Sequence, residues 1–489
     1  MNLTAGLNIA KSGLAVLARE TAVISRNVAQ AGDAFASRKT VQTVSGDGGV
    51  TLVIGRATDA SLFDRLLSAT ATAAQKSAVV DALDLLNQTV GDPADERSPA
   101  ALTGTLRDAL QTYSEAPGDV VRAQSVVSAA RDLAFALKDA TTAVQTVRAE
   151  ADAGIASSVA RINSLLADFA SINQQVVNGA RSGDDITSEL DRRDLILASL
   201  SEEIGIRTVT RAGNDMAIYT DSGVTLFERQ PRTVSFTPIA LFDATTEGQA
   251  VFADGVRITG AGAVMPATSG RIAGLSAIRD QIAPACQSQL DELARGLVEA
   301  FAETDQSAAP SGAPQPGLFT FAGAAGVPPS GTVVAGLAGR IEVAARVDPA
   351  QGGDALLLRD GDISGAGTAY VYNTTAAAGY SARIRELASG MSEARSFDPA
   401  AQLQTSGALT DYASSSAAWL QELRRAASSE AENNSALKQR ASDALSAATG
   451  VNLDAEMARL LELERAYQAS SRIITTIDAM YSALFQALR

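Results

Sequence analysis

Apolar residues recur at a seven-residue spacing at both ends of the chain. In the last stretch the repeat consists of Leu453, Leu460, Tyr467, Ile474, Tyr481 and Leu488. The first stretch carries two such rows, Leu3, Ala10, Leu17, Ile24 and Leu7, Leu14, Thr21, Val28. Together these rows have the a/d spacing of a coiled-coil seam. Each segment is too short and too lightly apolar to be a stable helix alone, so each predicts a partner helix.

Two kinds of partner are compatible with this spacing. A helix that faces the core of its own domain has the same periodicity as one that binds another molecule. The simplest solution is a nested fold in which the two ends pair with each other and the β modules are insertions. A head-to-tail coiled coil with another molecule is the alternative.

Helical periodicity dominates the first part of the chain between these ends. Helices are predicted over residues 61–90 and 98–113, with Ser98 and Pro99 as cap and first turn. Residues 119–177 contain no proline and a single glycine, and they predict one helix of about 90 Å at about 1.5 Å per residue.

Strand signals interrupt the helical pattern twice. Alternating residues with turn signals predict hairpins over 205–265. A helix kinked at Pro284 is predicted over 270–304. Short strands at Gly339 and Thr368 predict a second β element within 306–400, and helix resumes over 403–448.

The predicted fold is therefore α+β and mainly α. It has a discontinuous, elongated architecture with paired terminal coiled-coil helices, a long helical bundle and inserted β-rich domains. The predicted units are a terminal coiled-coil assembly domain (1–32 and 451–489), a helical bundle domain (33–204, 266–305 and 401–450) and one or more β-rich outer domains (205–265 and 306–400).

The amino-acid composition excludes most common kinds of catalytic site. The 489-residue chain has no histidine and one cysteine, Cys286, so imidazole bases, Cys-His nucleophiles and His/Cys zinc sites are excluded. Its 40 basic and 55 acidic residues give a net charge of -15, which argues against binding to nucleic acid or to anionic membranes. We expect no secretory signal and no membrane span.

Candidate sites have plainer explanations. Asp360, Asp362 and Ser364 begin like a calcium loop, but Val371 stands where the loop needs a bidentate glutamate, so we predict a turn. Cys286 lies on an apolar stripe and is predicted to be a buried structural thiol. The acidic cluster at 184–194 is predicted to be a solvated helix start with adjacent arginine partners, and not a metal site. No enzyme activity, cofactor or metal is predicted.

Three segments resemble bacterial flagellar axial proteins. Residues 26–33, Arg-Asn-Val-Ala-Gln-Ala-Gly-Asp, lead to Ser-Arg at 37–38 and resemble the signature that closes the N-terminal helix of these proteins. Residues 450–457, Gly-Val-Asn-Leu-Asp-Ala-Glu-Met, with 464–472, Glu-Arg-Ala-Tyr-Gln-Ala-Ser-Ser-Arg, resemble their C-terminal signature. Residues 189–197, Glu-Leu-Asp-Arg-Arg-Asp-Leu-Ile-Leu, resemble a segment of the hook-associated protein 1 family.

The N-terminal signature departs from the family pattern. Gln30, Ala34, Phe35 and Ala36 stand where the family has Asn, Pro, Gly and Tyr. These departures put the usual turn geometry after the first helix in question, although Gly32 and Asp33 provide turn residues.

The resemblance implies a structural role without catalysis. It implies an extracellular protein between hook and filament, exported by the flagellar type III apparatus and cytoplasmic before export. The implied partners are neighbouring copies, the hook protein, another hook-associated protein on the filament side, and an export chaperone at the C-terminal helix. Another axial component, from the rod or hook, is the first alternative, and a carboxylate-based glycan hydrolase is the second.

Overall fold

A computed structural model of the protein describes residues 3–33, 35–46, 49–91, 96–324 and 326–487. Helices form most of these ranges and fold as a long bundle with small antiparallel sheets. In chain order they are α1 (Leu3–Gln30), α2 (Ala60–Leu86), α3 (Pro99–Glu115), α4 (Val120–Ser182), α5 (Thr187–Glu203), α6 (Arg271–Ala277), α7 (Ala283–Ala300), α8 (Leu357–Asp360), α9 (Ala382–Gly390), α10 (Leu409–Thr449) and α11 (Leu453–Ala487).

The strands are short, and those that pair are close together in the sequence. A hairpin of β1 and β2 follows α1, and two three-stranded antiparallel sheets, β3-β4-β5 and β6-β7-β8, lie between α5 and α6. Their bounds are β1 (Lys39–Gly46), β2 (Gly49–Arg56), β3 (Ile206–Thr210), β4 (Met216–Thr220), β5 (Thr225–Phe227), β6 (Val234–Ser235), β7 (Phe252–Ala253), β8 (Val256–Arg257), β9 (Phe319–Phe321), β10 (Ile341–Val343), β11 (Arg395–Ser396) and β12 (Ser406–Gly407).

The long helix predicted from periodicity is confirmed as α4. It is an unbroken helix of 63 residues, or about 95 Å at about 1.5 Å per residue. The Asp119 carboxylate caps its start by accepting hydrogen bonds from the Val121 and Arg122 amides, and Gly183 ends it in the left-handed conformation. The helices α3, α5, α6 and α7 all pack against this rod.

Two hydrophobic cores lie along α4. The first surrounds its N-terminal half and includes Leu133, Leu137 and residues of α7 such as Leu290. The second surrounds its C-terminal half and includes Phe169 and residues of α5 and of the β3-β4-β5 sheet. The bundle and the predicted hairpins of 205–265 are therefore joined by shared apolar packing.

Glycine lets α6 approach two other helices closely. A Cβ at Gly154 of α4 would lie 2.9 Å from Leu275 Cδ1, and a Cβ at Gly274 of α6 would lie 2.4 Å from the Gln75 carbonyl oxygen of α2. Both distances are shorter than van der Waals contact. A side chain at Gly274 would push α6 away from the α2 backbone, whereas one at Gly154 would make the Leu275 side chain shift.

The second predicted β element is largely wrong. Residues 306–400 contain only the short strands β9, β10 and β11 among the described residues, together with loops and the short helices α8 and α9. The predicted strand at Thr368 is a 3-10 turn, because Gly367 takes a positive φ of 104° and the Tyr370 amide donates to its carbonyl oxygen. Only the strand near Gly339 is confirmed, as β10.

Two predicted helix bounds also differ. The last body helix begins at Leu409 and not at residue 403, because β12 at 406–407 pairs with β11 first. The helix that contains Pro284 ends at Ala300. Its irregularity is a π-helical turn over Ile278–Ile282, which places Pro284 in the first turn of α7, where its missing amide costs no hydrogen bond.

Candidate assembly site

The two ends of the chain pair with each other. α1 and α11 pack along their lengths. Asn27, near the end of α1, contacts Glu456, near the start of α11, so the two helices are antiparallel. The predicted pairing of terminal helices is confirmed. It closes a discontinuous fold in which the bundle is an insertion between the two ends.

The α1 residues predicted for the seam follow the buried side of that helix. Ile24 is 4% exposed, and Leu7, Leu14, Leu17 and Val28 are partly buried. The side chain of Leu3 lies outside the described residues. Val23 and Asn27 extend the buried surface beside the seam, where β1 packs against α1.

The α11 residues predicted for the seam divide into two groups. Leu460, Ile474 and Tyr481 are partly buried, whereas Leu453 and Tyr467 each remain 48% exposed. Leu488 lies outside the described residues.

Sequence reasoning missed the second row of the α11 seam. This row consists of Glu456, Leu463, Ser470 and Ile477, and Leu463 is only 8% exposed. Each residue of this second row lies three positions after one residue of the predicted row and four positions before the next. Testing for the alternating three and four spacing would have revealed it.

Large apolar side chains remain open to solvent on the paired helices. They are Ile9 (71% exposed), Met457 (47%), Leu461 (55%), Ile473 (53%) and Met480 (53%). Single exposed apolar residues are common on protein surfaces, but α11 carries two pairs of them, Met457 with Leu461 and, about 100° or more around the helix, Ile473 with Met480. The pairing of α1 with α11 therefore leaves apolar surface uncovered.

A buried group of polar side chains joins the terminal helices to the bundle. We call it the junction cluster, and it consists of Asn27, Ser37, Arg38, Lys39, Arg56, Asp191, Asp194 and Glu456. It begins at Glu456, which is 1% exposed. The Glu456 carboxylate accepts hydrogen bonds from Arg38 Nε at 2.7 Å and from Asn27 Nδ2 at 3.2 Å. Asn27 also bonds both backbone groups of Lys39, at 2.9 and 3.0 Å. One carboxylate thus connects α11, α1 and the start of β1.

The second part of the cluster is centred on Asp191 of α5. Its carboxylate accepts hydrogen bonds from Ser37 Oγ at 2.6 Å, Lys39 Nζ at 2.9 Å and Arg56 Nη1 at 2.9 Å. Arg56 also donates to Asp194 at 2.6 Å. The side chain of Lys39 is completely buried. Asp191 therefore binds the segment after α1, the end of β2 and the bundle together.

The charges of the junction cluster balance. Arg38, Lys39 and Arg56 face the three carboxylates, so no net charge is buried. Burial alone would lower the pKa of Arg56, but the charges and hydrogen bonds of Asp194 and Asp191 raise it above its usual value. Burial raises the pKa of the Asp194 carboxyl although Arg56 lies beside it, so Arg56 is the member of this ion pair whose charge is permanent at neutral pH.

The ion-pair partners predicted for the acidic segment 184–194 are wrong. Asp191 and Asp194 lie three residues apart on one face of α5, and they pair with Arg56 of β2 instead of the adjacent arginines. Arg193 points elsewhere and donates to Asn173 and to the Asn214 carbonyl oxygen. Within the described ranges, no group of three or more acidic or Cys side chains has the geometry to hold a metal ion.

The calcium-like segment and Cys286 behave as predicted. Asp362 accepts the Gly367 amide and pairs with Arg346, so this segment is a turn. Cys286 is buried, and burial raises the pKa of its thiol to about 12. In the described part of the chain, no helix combines the length and apolar character needed to cross a membrane.

The three segments that resemble flagellar proteins meet in the junction cluster. Asn27, Ser37 and Arg38 come from the N-terminal signature, Glu456 from the C-terminal signature, and Asp191 from the middle segment. The Asn27 and Glu456 side chains touch although 429 positions separate them. The motifs thus share one structural purpose, the attachment of the paired ends to the bundle.

Comparison with known families agrees with this architecture. Residues 83–316 match the family model described as the flagellar hook-associated protein FlgK helical domain. Residues 445–487 match the model described as the flagellar basal body rod FlgEFG protein C-terminal. The paired ends and the helical body therefore define a structural protein of the bacterial flagellum. Residues 83–316 carry the helical domain of the FlgK family of hook-associated proteins.

A solved structure shows a partial likeness. The flagellar hook junction protein FlgK from Burkholderia pseudomallei is 24% identical, with a TM-score of 0.41, over 53% of this chain and 46% of that chain. The match thus spans less than half of that protein. No curated protein sequence matches the chain.

Proposed function

We propose that this protein joins the flagellar hook to the filament by lateral packing of its terminal helices, without catalysis. The observation that supports this role is the apolar surface left open on α1 and α11 after they have paired. A helix pair that buried all of its apolar residues would have no apolar surface left to drive association with other helices. This pair keeps Met457, Leu461, Ile473 and Met480 in contact with water.

The proposal includes specific partners and a route. The partners are neighbouring copies of this chain, the hook protein, and another hook-associated protein on the filament side. The flagellar type III apparatus exports the chain, and a cytoplasmic chaperone binds the C-terminal helix before export. The predicted seam residues of α1 and α11 form the assembly interface, together with the exposed residues beside them.

Truncation and point variants test this proposal. Deletion of residues 460–489 should leave a folded bundle but produce hooks without filaments, and flagellin should accumulate in the medium. Met457→Ser with Leu461→Ser should give the same defect with α11 intact. Leu241→Ser, at a position 81% exposed on the outer β region, is the matched control and should keep filaments.

The measurements are electron microscopy of hooks and immunoblots of the medium for flagellin and for the variant itself. Detection of the exported variant separates an assembly defect from an export defect. Normal filaments in the deletion strain would refute the role.

The alternatives predict other results. Antibody labelling confined to the rod or to the hook shaft would favour another axial component. Loss of motility on replacing carboxylates of the β region, with filaments intact, would favour a hydrolase.

A further inference from the structure

The exposed surface of α11 has two sides of different charge. At about 100° per residue, Met457, Leu461, Glu464 and Asp478 fall in one sector about 100° wide beside the seam. All four residues are exposed, and the described part of α11 has no basic residue in this sector. Arg459, Arg465 and Arg472 lie outside it. We call this sector the acidic flank.

The exposed surface of α1 has the opposite charge. Lys11 and Arg19 lie in one sector with Ala15, Ala18 and Ala22, all of them exposed. We call this sector the basic face. Its short side chains leave room for a second helix to approach closely between two positive charges.

Neither charged surface is neutralised within its own molecule. In the part of the chain that the structure describes, Lys11, Arg19, Glu464 and Asp478 form no ion pair. α1 has three basic residues and one acidic residue, whereas α11 has three basic and five acidic residues. The two helices thus carry net charges of opposite sign, and their complementary surfaces point outward.

We propose that the acidic flank of one copy packs on the basic face of α1 in a second copy. This inference rests on the proposed assembly role and names its contact. At about 1.5 Å per residue, with the two helices antiparallel, Leu461 would cover Ala22, Glu464 would approach Arg19, and Asp478 would lie on the Lys11 side of the basic face. Because the contact joins two different helices, the second copy keeps its own acidic flank free for a third. Charge complementarity of this kind fixes partner and register.

Charge reversal tests the contact on isolated hooks without filaments. Purified full-length protein is added to the hooks, and bound protein is measured by co-sedimentation, which removes any effect on export. Lys11→Glu with Arg19→Glu should reduce binding by about tenfold at low salt, because attraction becomes repulsion. Glu464→Lys with Asp478→Lys should reduce it similarly. Arg207→Glu with Arg229→Glu, at exposed positions of the β region, is the matched control and should bind normally.

A mixture identifies the contact as intermolecular. In an equimolar mixture of the two reversed proteins, each acidic α1 meets a basic flank, and each basic α1 meets an acidic flank. The mixture should therefore bind to within about threefold of the wild type although each protein alone fails.

Two outcomes overturn the contact: normal binding by either reversed protein, or failure of the mixture to recover. A defect confined to the α1 variant would assign the basic face to the hook protein. Wild-type protein that does not bind hooks would instead refute the proposed function.

Discussion

Removal of the Asp191 carboxylate should loosen the terminal helix pair from the bundle. In Asp191→Ala, the ammonium group of Lys39 stays buried but loses the one carboxylate that pairs with it among the described residues. It retains Gln30 Oε1 at 2.9 Å and a long contact to the Ser37 carbonyl oxygen at 3.5 Å. Arg56 keeps Asp194, so its charge remains compensated.

The expected cost follows from these contacts. Removing one partner of a buried ion pair costs about 3–5 kcal/mol, because the other charge stays desolvated. Gln30 still solvates Lys39, so we expect the lower end, about 3 kcal/mol. At about 1.4 kcal/mol per factor of ten, detachment of α1 and α11 from the bundle becomes about a hundredfold more frequent. The apolar cores along α4 do not contain Asp191, so global unfolding should change less.

Native-state hydrogen exchange measures this opening. Amides of β1 and of the first turns of α11 should exchange about a hundredfold faster in the variant, and those of α4 should not. Asp184→Ala, at an exposed position of the same segment, is the control. Adding Lys39→Met to Asp191→Ala should recover most of the loss, because no unpaired charge then remains buried. A change below about 1 kcal/mol, or no recovery in the double variant, would refute the reasoning.

Two further predictions concern the body of the protein. Gly274→Ala should lower the free energy of unfolding by about 1–3 kcal/mol, because its Cβ would strike the Gln75 backbone, whereas Gly104→Ala in α3, with open space around it, should raise it by about 0.5–1 kcal/mol. Chemical denaturation compares the two, and equal effects would contradict the packing argument. Cys286 should not react with a thiol reagent at pH 8 until the protein unfolds, because burial raises the pKa of its thiol to about 12, and rapid labelling of native protein would contradict its burial.

Sequence periodicity predicted the elements whose structure depends on residues close together in the chain. α4 was predictable because its apolar residues keep helical spacing and no proline interrupts them. The seam of α1 was predictable because Leu7, Leu14 and Ile24 lie on one stripe. Residues 306–400 were not predictable in the same way. Their glycine, alanine and proline residues carry no period, and their turns depend on single contacts such as that between Glu303 and Ser364.

The junction cluster shows a different limit. Asp191 and Asp194 were noticed in the sequence, but their partners were assigned locally, to the adjacent arginines. The real partners lie far away along the chain: Ser37 is 154 positions from Asp191, and Arg56 is 135. Local charge patterns cannot select between near and distant partners, because the choice depends on which backbone segments the fold brings together.

Polar and apolar contacts have different roles at the terminal helices. A buried, neutral cluster of ion pairs adds little net stability over apolar packing, but its hydrogen bonds are directional. Apolar surface is not directional, yet it drives association in proportion to its area. At the ends of this chain, Glu456 and Asp191 set the direction in which α1 and α11 leave the bundle. The exposed residues beyond them, Met457 and Leu461, remain available to neighbours. A fixed direction with an open apolar surface suits a subunit that must meet its neighbours in one orientation.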